Sequence, residues 1–393
     1  MESWKKNLYS LWCAQFIAAM GLSLVTPFLP FYLRDLGISG DTSVKIWSGV
    51  AYAAPFLISA FMQPLWGILG DRYGRKMMIV RAMMGLALAN VLMGFAQSAP
   101  QFVLCRLFQG LLSGFIAPSL ALMASSSPPE KTGYALGTLQ TALVSSLILG
   151  PFLGGVFMHF AGIRPIFFTT GLLCAIGAAV VYLYVHEDFK PVIGPGLARL
   201  KHNFNRIIQS PELRSLFLLL ILVQFSVFFI APFISLYVEY LKVPEAYVGL
   251  VSGLVFGIAG LTSALAAPFW GKRSDKIGQK RVLTIAALGT IIFLLPQAFV
   301  TNAYQLMALR AGLGLFVSGM LPVINSVVRH ATDEHERGGI YGMFQSGYLI
   351  GNLIGPLAGG LLSAAMGLRA IFIFAAACVC LAPLLIRSVK ETR

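Results

Sequence analysis

The sequence predicts an all-α integral membrane protein, with twelve transmembrane helices in two pseudo-symmetric six-helix bundles. Three observations carry this. Of 393 residues, 57% are hydrophobic and only 11% are charged. Soluble globular proteins carry about 25% charged residues, so lipid must be part of the solvent. The apolar runs last about 20 residues, enough for a helix to cross a ~30 Å hydrocarbon core. They do not alternate as barrel strands do, and a lipid-exposed backbone must satisfy its own polar groups. Finally, the chain aligns with itself when shifted by 204 or 205 positions, as Arg106 with Arg310 and Gly150 with Gly355 show.

The twelve runs are 8–33, 47–69, 77–97, 101–124, 134–158, 165–185, 213–238, 247–270, 282–300, 304–328, 339–362 and 368–387. The first is too long for a cleaved signal and lacks a small-x-small site before polar sequence, so it is expected to remain as a helix. Charge sets the orientation. With the N-terminus inside, 22 of the 29 Lys and Arg fall in inner segments and five in outer loops, leaving Arg106 and Arg310 within runs. This ratio follows the positive-inside rule and places both termini in the cytoplasm. The net charge of +14 is therefore read as topology plus attraction to anionic lipid, not as a nucleic-acid footprint. Cys13, Cys105, Cys174, Cys378 and Cys380 all fall within runs without a zinc-type pattern, and are expected to be buried small apolar residues.

The repeat extends along the whole chain. TPFLPFYLRDLG at 26–37 meets APFISLYVEYLK at 231–242, PLWG at 64–67 meets PFWG at 268–271, and GIRPIFF at 162–168 meets GLRAIFI at 367–373. Two bundles are expected at 1–186 and 213–393. Six helices is an even number, so the bundles share one orientation, as parallel repeats do about an axis along the membrane normal. That layout predicts a cavity near the midplane, lined by the first, second, fourth and fifth helices of each half. The linker at 187–212 places Leu197, Leu200, Phe204, Ile207 and Ile208 at helical spacing beside Arg199, Lys201 and Arg206. This predicts an amphipathic helix on the inner membrane surface.

One charged turn is built twice: GILGDRYGRK at 67–76 and GKRSDKIGQK at 271–280. Gly67 would permit close helix approach and Gly74 a turn. Asp71 and Asp275 stand where a helix enters the polar boundary. An acid there can accept from N–H groups at the start of a neighbouring helix or pair with bases. Gly67, Asp71, Arg72, Gly74, Arg75, Lys76 and Asp275 are thus candidates for a conformational latch.

The first copy resembles the loop signature of the major facilitator superfamily; the second departs at Gln279, where that signature has Arg. Three further motifs resemble the drug:proton antiporter branch of the same superfamily. Run 5 reads Gly137, Gly150, Pro151, Gly154 and Gly155, with Ser146 in place of one Gly. Run 11 carries the full form, Gly342, Gly351, Gly355, Pro356, Gly359 and Gly360. Run 1 holds Gly21, Pro27 and Pro30, and run 4 holds RLFQG with Arg106, Gln109 and Gly110. The small residues would let helices cross closely. WSG at 47–49, LMGFAQ at 92–97 and ALGTL at 135–139 look closest to multidrug exporters within that branch.

The resemblance implies a secondary active transporter that exports lipophilic small molecules, drugs among them, by proton-coupled alternating access. It implicates Arg106 in proton transfer. No acid lies mid-run, so Asp35 and Asp71 at run ends are the remaining proton-coupling candidates, and neutral or weakly charged substrates are expected. Gln15, Gln140, Gln224, Asn325 and Gln345 are polar residues within expected lining helices, and Phe16, Met20 and Phe229 could add adaptable apolar surface. The expected partners are a lipophilic substrate, protons and membrane lipids, with no cofactor, metal or nucleic acid. A monomer in a bacterial cytoplasmic (inner) membrane is expected, without enzymatic activity. A proton symporter or facilitator for a metabolite such as a sugar, and a transporter-like sensor or scaffold, are the alternatives.

Overall fold

A computed structural model describes residues 3–189, 196–332 and 334–389. The side chains of Pro64, Asp71, Pro129, 196–201 and 334–338 lie outside that description. Among the described residues, twelve helices are long and apolar enough to cross a membrane. In chain order the spans are Ser3–Asp35, Asp41–Tyr73, Arg75–Gly94, Ala99–Ser126, Thr132–Ala161, Arg164–Tyr184, Pro211–Tyr240, Glu245–Ile277, Gln279–Phe299, Ala303–His330, Glu334–Met366 and Leu368–Ile386, called spans 1 to 12 below. The linker carries the expected helix, Gly196–Gln209. Its Ile207 is buried while Phe204 and Ile208 are exposed, so part of its apolar face is open to solvent or lipid.

Local sequence explains where spans bend. Pro27 and Pro232 stand in short 3-10 segments, Thr26–Phe28 in span 1 and Ala231–Phe233 in span 7. Proline lacks an N–H and frees the carbonyl of the preceding turn. In span 1 the Thr26 hydroxyl donates to the Leu22 carbonyl at 2.6 Å. Just beyond each bend, a buried tyrosine ties its span to a neighbouring one. Tyr32 donates to the Met93 carbonyl and Tyr237 to the Gln297 carbonyl, both at 2.7 Å.

The chain divides into two compact units, Met1–Ile38 with Ala54–Gly194, and Ser39–Ala53 with Pro195–Arg393. The first stretch of span 2 thus groups with the second unit. There Gly49 lies against the Pro356 carbonyl, and a carbon on Gly360 would come 3.1 Å from the Lys45 carbonyl. In the first unit the core gathers Leu8, Leu11 and Ala14 of span 1 with Ile79, Met83 and Leu86 of span 3 and Cys174 and Ala178 of span 6.

Glycine lets spans 1 and 5 cross closely. A side-chain carbon on Gly154 would overlap the Leu24 carbonyl, and one on Gly150 would overlap Ser23 Oγ. Spans 7 and 11 repeat the crossing. A carbon on Gly351 would stand 2.6 Å from Gln224 Cβ, one on Gly355 2.7 Å from the Phe225 carbonyl, and one on Gly359 against the Phe229 carbonyl. Gly155, Pro151 and Pro356 are buried on the same helices. Ser146, the departure from the motif, uses its hydroxyl: Oγ donates to the Phe16 carbonyl at 2.9 Å, while Ser23 Oγ donates to the Ser146 carbonyl at 2.8 Å.

Other glycines do not pack as expected. At Gly67, Gly137 and Gly342 an added carbon meets nothing within 4 Å, so close approach does not explain them in this structure. The cysteines also differ from expectation. Only Cys174 is buried, and Cys13 and Cys380 are exposed, because an apolar helix surface facing lipid has no need to hide a thiol.

Candidate functional site

Two turns and two interrupted helices carry the polar chemistry of the repeat. Gly74 joins spans 2 and 3 at φ +96° and ψ 144°, and Gly278 joins spans 8 and 9 at φ +93° and ψ 144°. Side chains rarely adopt that region, so both turns require glycine. At the first turn both oxygens of one carboxylate are used. Glu187 Oε1 accepts from the Arg75 N–H at 2.9 Å and Oε2 from the Lys76 N–H at 2.8 Å. These are free donors at the start of span 3, where the helix dipole also favours an anion. The Arg75 guanidinium reaches the end of span 4, where Nη1 donates to the Ala121 carbonyl at 2.8 Å and to Ser125 Oγ at 3.0 Å. Lys76 Nζ lies 5.5 Å from the centre of the Tyr182 ring, and Arg72 lies over Tyr73.

The expected acid at a neighbouring helix start is therefore found, but it is Glu187. Sequence reading missed it because it stands 112 residues from Arg75 in a polar tail with no periodic signal. The side chain of Asp71 lies outside the described residues. Asp275 lies in the last turn of span 8 and is exposed. At the second turn Gln279 replaces Arg75. Its Nε2 donates to Ser326 Oγ of span 10 at 3.1 Å, so a link to span 10 is retained through a neutral side chain. The offset of 204 pairs Glu187 with Glu391, which lies outside the described residues.

Span 4 is interrupted at 113–115, with Gly114 at φ +108°. The break frees carbonyls, and side chains of spans 2 and 3 take them. Ser59 Oγ donates to the Gly110 carbonyl at 3.1 Å, Trp66 Nε1 to the Leu111 carbonyl at 2.9 Å, and Arg81 Nη2 to the Ser113 carbonyl at 3.3 Å. Arg81 also stacks on the Trp66 ring, 3.5 Å from its centre. In span 10 Ser263 donates to the Gly314 carbonyl at 3.0 Å and Trp270 to the Leu315 carbonyl at 2.6 Å. There the interruption is only a turn at Ser318 and Gly319. Ile285 stands where Arg81 stands. Arg81 itself lies inside span 3. Arg81→Ile is expected to lower stability by about 2–4 kcal/mol, from the lost stacking and the stranded carbonyl. Thermal unfolding in detergent measures this, and an unchanged midpoint would contradict the role.

The remaining candidates separate. Arg106 is buried; its Nη1 donates to Gln109 Oε1 at 2.9 Å, and its guanidinium lies 5.8 Å from the centre of Phe102. Asp35 ends span 1 and is exposed, with Arg164 the cation acting on it. Gln15 is buried with neither amide atom hydrogen-bonded among the described residues. Phe16 is half-buried and stacks on Trp12, and Met20 is half-buried near Gly150. Gln140 in the first unit, and Asn325 and Gln345 in the second, are exposed; a polar amide costs too much to leave in hydrocarbon, so these faces suit water. Phe229 is a correction. It is 1% exposed, packed between Phe225 and Phe374, because the turn of helix bearing it lies at the Gly359 crossing. Gln224 is buried at the same crossing.

Comparison with known proteins gives a consistent picture. The family model described as Major Facilitator Superfamily matches residues 11–262 and 216–393. A relative from Proteus mirabilis (strain HI4320), named multidrug resistance protein MdtG, is 37% identical over 96% of this chain and 94% of its own. A relative of the same name from Yersinia enterocolitica is 37% identical over 94% of this chain and 89% of its own. The crystal structure of the nucleoside transporter NupG superposes with a TM-score of 0.80 at 14% identity, over 98% of this chain and 100% of that one.

Proposed function

Because the chain belongs to the major facilitator superfamily, we propose that it is a secondary active transporter exporting lipophilic small molecules, drugs among them. The carrying observation is near full-length similarity to relatives named multidrug resistance proteins. Export is driven by proton entry through alternating access. A proton shifts a conformational equilibrium only by its differential affinity for the two states, so its carrier must change surroundings between them. We assign this role to Asp35 and Asp71, with Arg106 as the buried charge that responds.

Glu187 and Arg75 hold the first turn to spans 6 and 4, and Asp71 belongs to the same latch. The exposed amides of Gln140, Asn325 and Gln345 meet the passing substrate or the water around it. The bundles at 1–186 and 213–393 act as the two rigid halves, and the linker helix lies on anionic lipid. The protein works as a monomer in the bacterial cytoplasmic membrane with both termini inside. It binds no nucleic acid and performs no covalent chemistry.

Cells overproducing the protein are expected to retain less of a lipophilic fluorescent dye than control cells, and a protonophore should erase the difference. Equal retention at confirmed expression would reject export. Asp35→Asn is expected to reduce substrate-induced proton release from the purified protein. Unchanged release would remove Asp35 from the coupling path.

A further inference from the structure

Arg310 is a buried cation with unsatisfied donors among the described residues of the second unit. It lies on the helical segment Ala303–Val317 of span 10, about two turns from its start, and is 8% exposed. Neither Nε nor Nη2 has a hydrogen-bond partner among the described residues. Its repeat mate Arg106 is as deeply buried but is held by Gln109 and Phe102. The offset of 204 puts Leu313 where Gln109 stands and Leu306 where Phe102 stands. The second half has kept the charge and has leucine at the positions of Gln109 and Phe102.

A second unsatisfied group stands on the facing helix. Ser252 Oγ of span 8 is fully buried without a partner among the described residues, whereas its repeat mate Ser48 donates to the Val44 carbonyl at 2.6 Å. Spans 8 and 10 run in the same direction and meet at Gly314, where a side-chain carbon would overlap the Ala259 carbonyl. Arg310 is one turn before Gly314, and Ser252 two turns before Ala259, so both lie on the contacting stripes. Neither of the two helices brings a carboxylate to this stripe. Span 10 contains no acid, and the acids of span 8, Glu245 and Asp275, stand at its two ends. A guanidinium does not shed its proton in a protein, and a buried charge needs a counter-charge.

We propose that Arg310, assisted by Ser252, binds the anionic head of a transported lipophilic molecule, a carboxylate or a phosphate group. The fork of guanidinium donors fits both groups, and Leu306 and Leu313 suit the apolar body. This rests on the transporter reading, narrows its lipophilic substrates to organic anions, and departs from the neutral or weakly charged compounds expected from the sequence.

Isothermal titration of the purified full chain in uncharged detergent tests it. Phenylbutyrate and phenylbutanol share a body and differ in charge. The unaltered protein is expected to bind the carboxylate about tenfold or more tightly than the alcohol. Arg310→Gln should bring the two affinities together. Leu313→Gln, which supplies the partner that Arg106 has, should narrow the gap while keeping the charge. It carries the test where Arg310→Gln does not fold. No preference in the unaltered protein, or an unchanged preference in either folded variant, overturns the proposal. Displacement of phenylbutyrate by an equal concentration of phosphatidylglycerol assigns the site to a lipid headgroup, which also overturns it. Binding at equilibrium needs no transport, so a protein that binds the anion but moves no dye fails the export reading alone.

Discussion

Gly74→Val is expected to abolish gradient-driven transport while the protein still folds and inserts. Gly74 holds φ +96°, where a β-branched residue is strained by about 1–3 kcal/mol. A side-chain carbon would also come 3.1 Å from Glu187 Oε2. The carboxylate would have to move, and the Arg75 and Lys76 N–H groups would lose their acceptor together. The strain is local, far from the Gly150 and Gly154 crossing that holds spans 1 and 5, so folding should survive it. Gly74→Ala, with a smaller side chain, should fall between. Dye transport in vesicles, normalised to inserted protein, gives the answer. Normal transport by Gly74→Val would show that the turn has no part in the cycle.

Glu187→Ala is expected to cost nearly as much, and Glu187→Gln much less. The carboxylate acts through geometry, since each oxygen accepts one backbone N–H. Alanine removes both acceptors and the favourable charge at the start of span 3, together worth about 1–3 kcal/mol. Glutamine keeps an amide oxygen for one of them. Charge alone would predict equal effects from the two substitutions, because both neutralise the residue. Transport rates of both variants, with amide hydrogen exchange at residues 75–78, separate the cases. Equal losses would assign Glu187 an electrostatic role instead.

The parts of the fold legible in the sequence are those set by solvent and by repetition. Twelve spans follow from apolar runs that only lipid can accommodate, and their ends shift by a few residues because polar turns extend the helices beyond the hydrocarbon. The offset of 204 carried information down to single bonds. Trp66 to Leu111 and Trp270 to Leu315 differ by that number at both ends, as do Ser59 to Gly110 and Ser263 to Gly314. Gly74 was legible because a turn between two long helices leaves few residues able to adopt positive φ.

Individual roles were less legible, for physical reasons. A glycine in an apolar run has the same appearance whether it sits beneath another helix, as Gly154 does, or opens onto space, as Gly67, Gly137 and Gly342 do. Only the rotation of the helix decides. Phe229 was read as adaptable apolar surface of the cavity, but one face of span 7 closes on span 11 and takes that ring with it. Glu187 and Arg81 were missed because each answers a need created elsewhere, a helix start in one case and a broken helix in the other. Arg310 was noted as a buried charge, but its missing partners could be recognised only beside Arg106.

The measurement that tests the account most directly uses purified protein in sealed liposomes with an imposed pH gradient and a lipophilic fluorescent dye, beside protein-free vesicles. Dye should move in the direction opposite to protons and reverse when the gradient is reversed, and Gly74→Val should show neither. Dye movement that ignores the gradient, with the protein intact and inserted, would contradict proton-driven export.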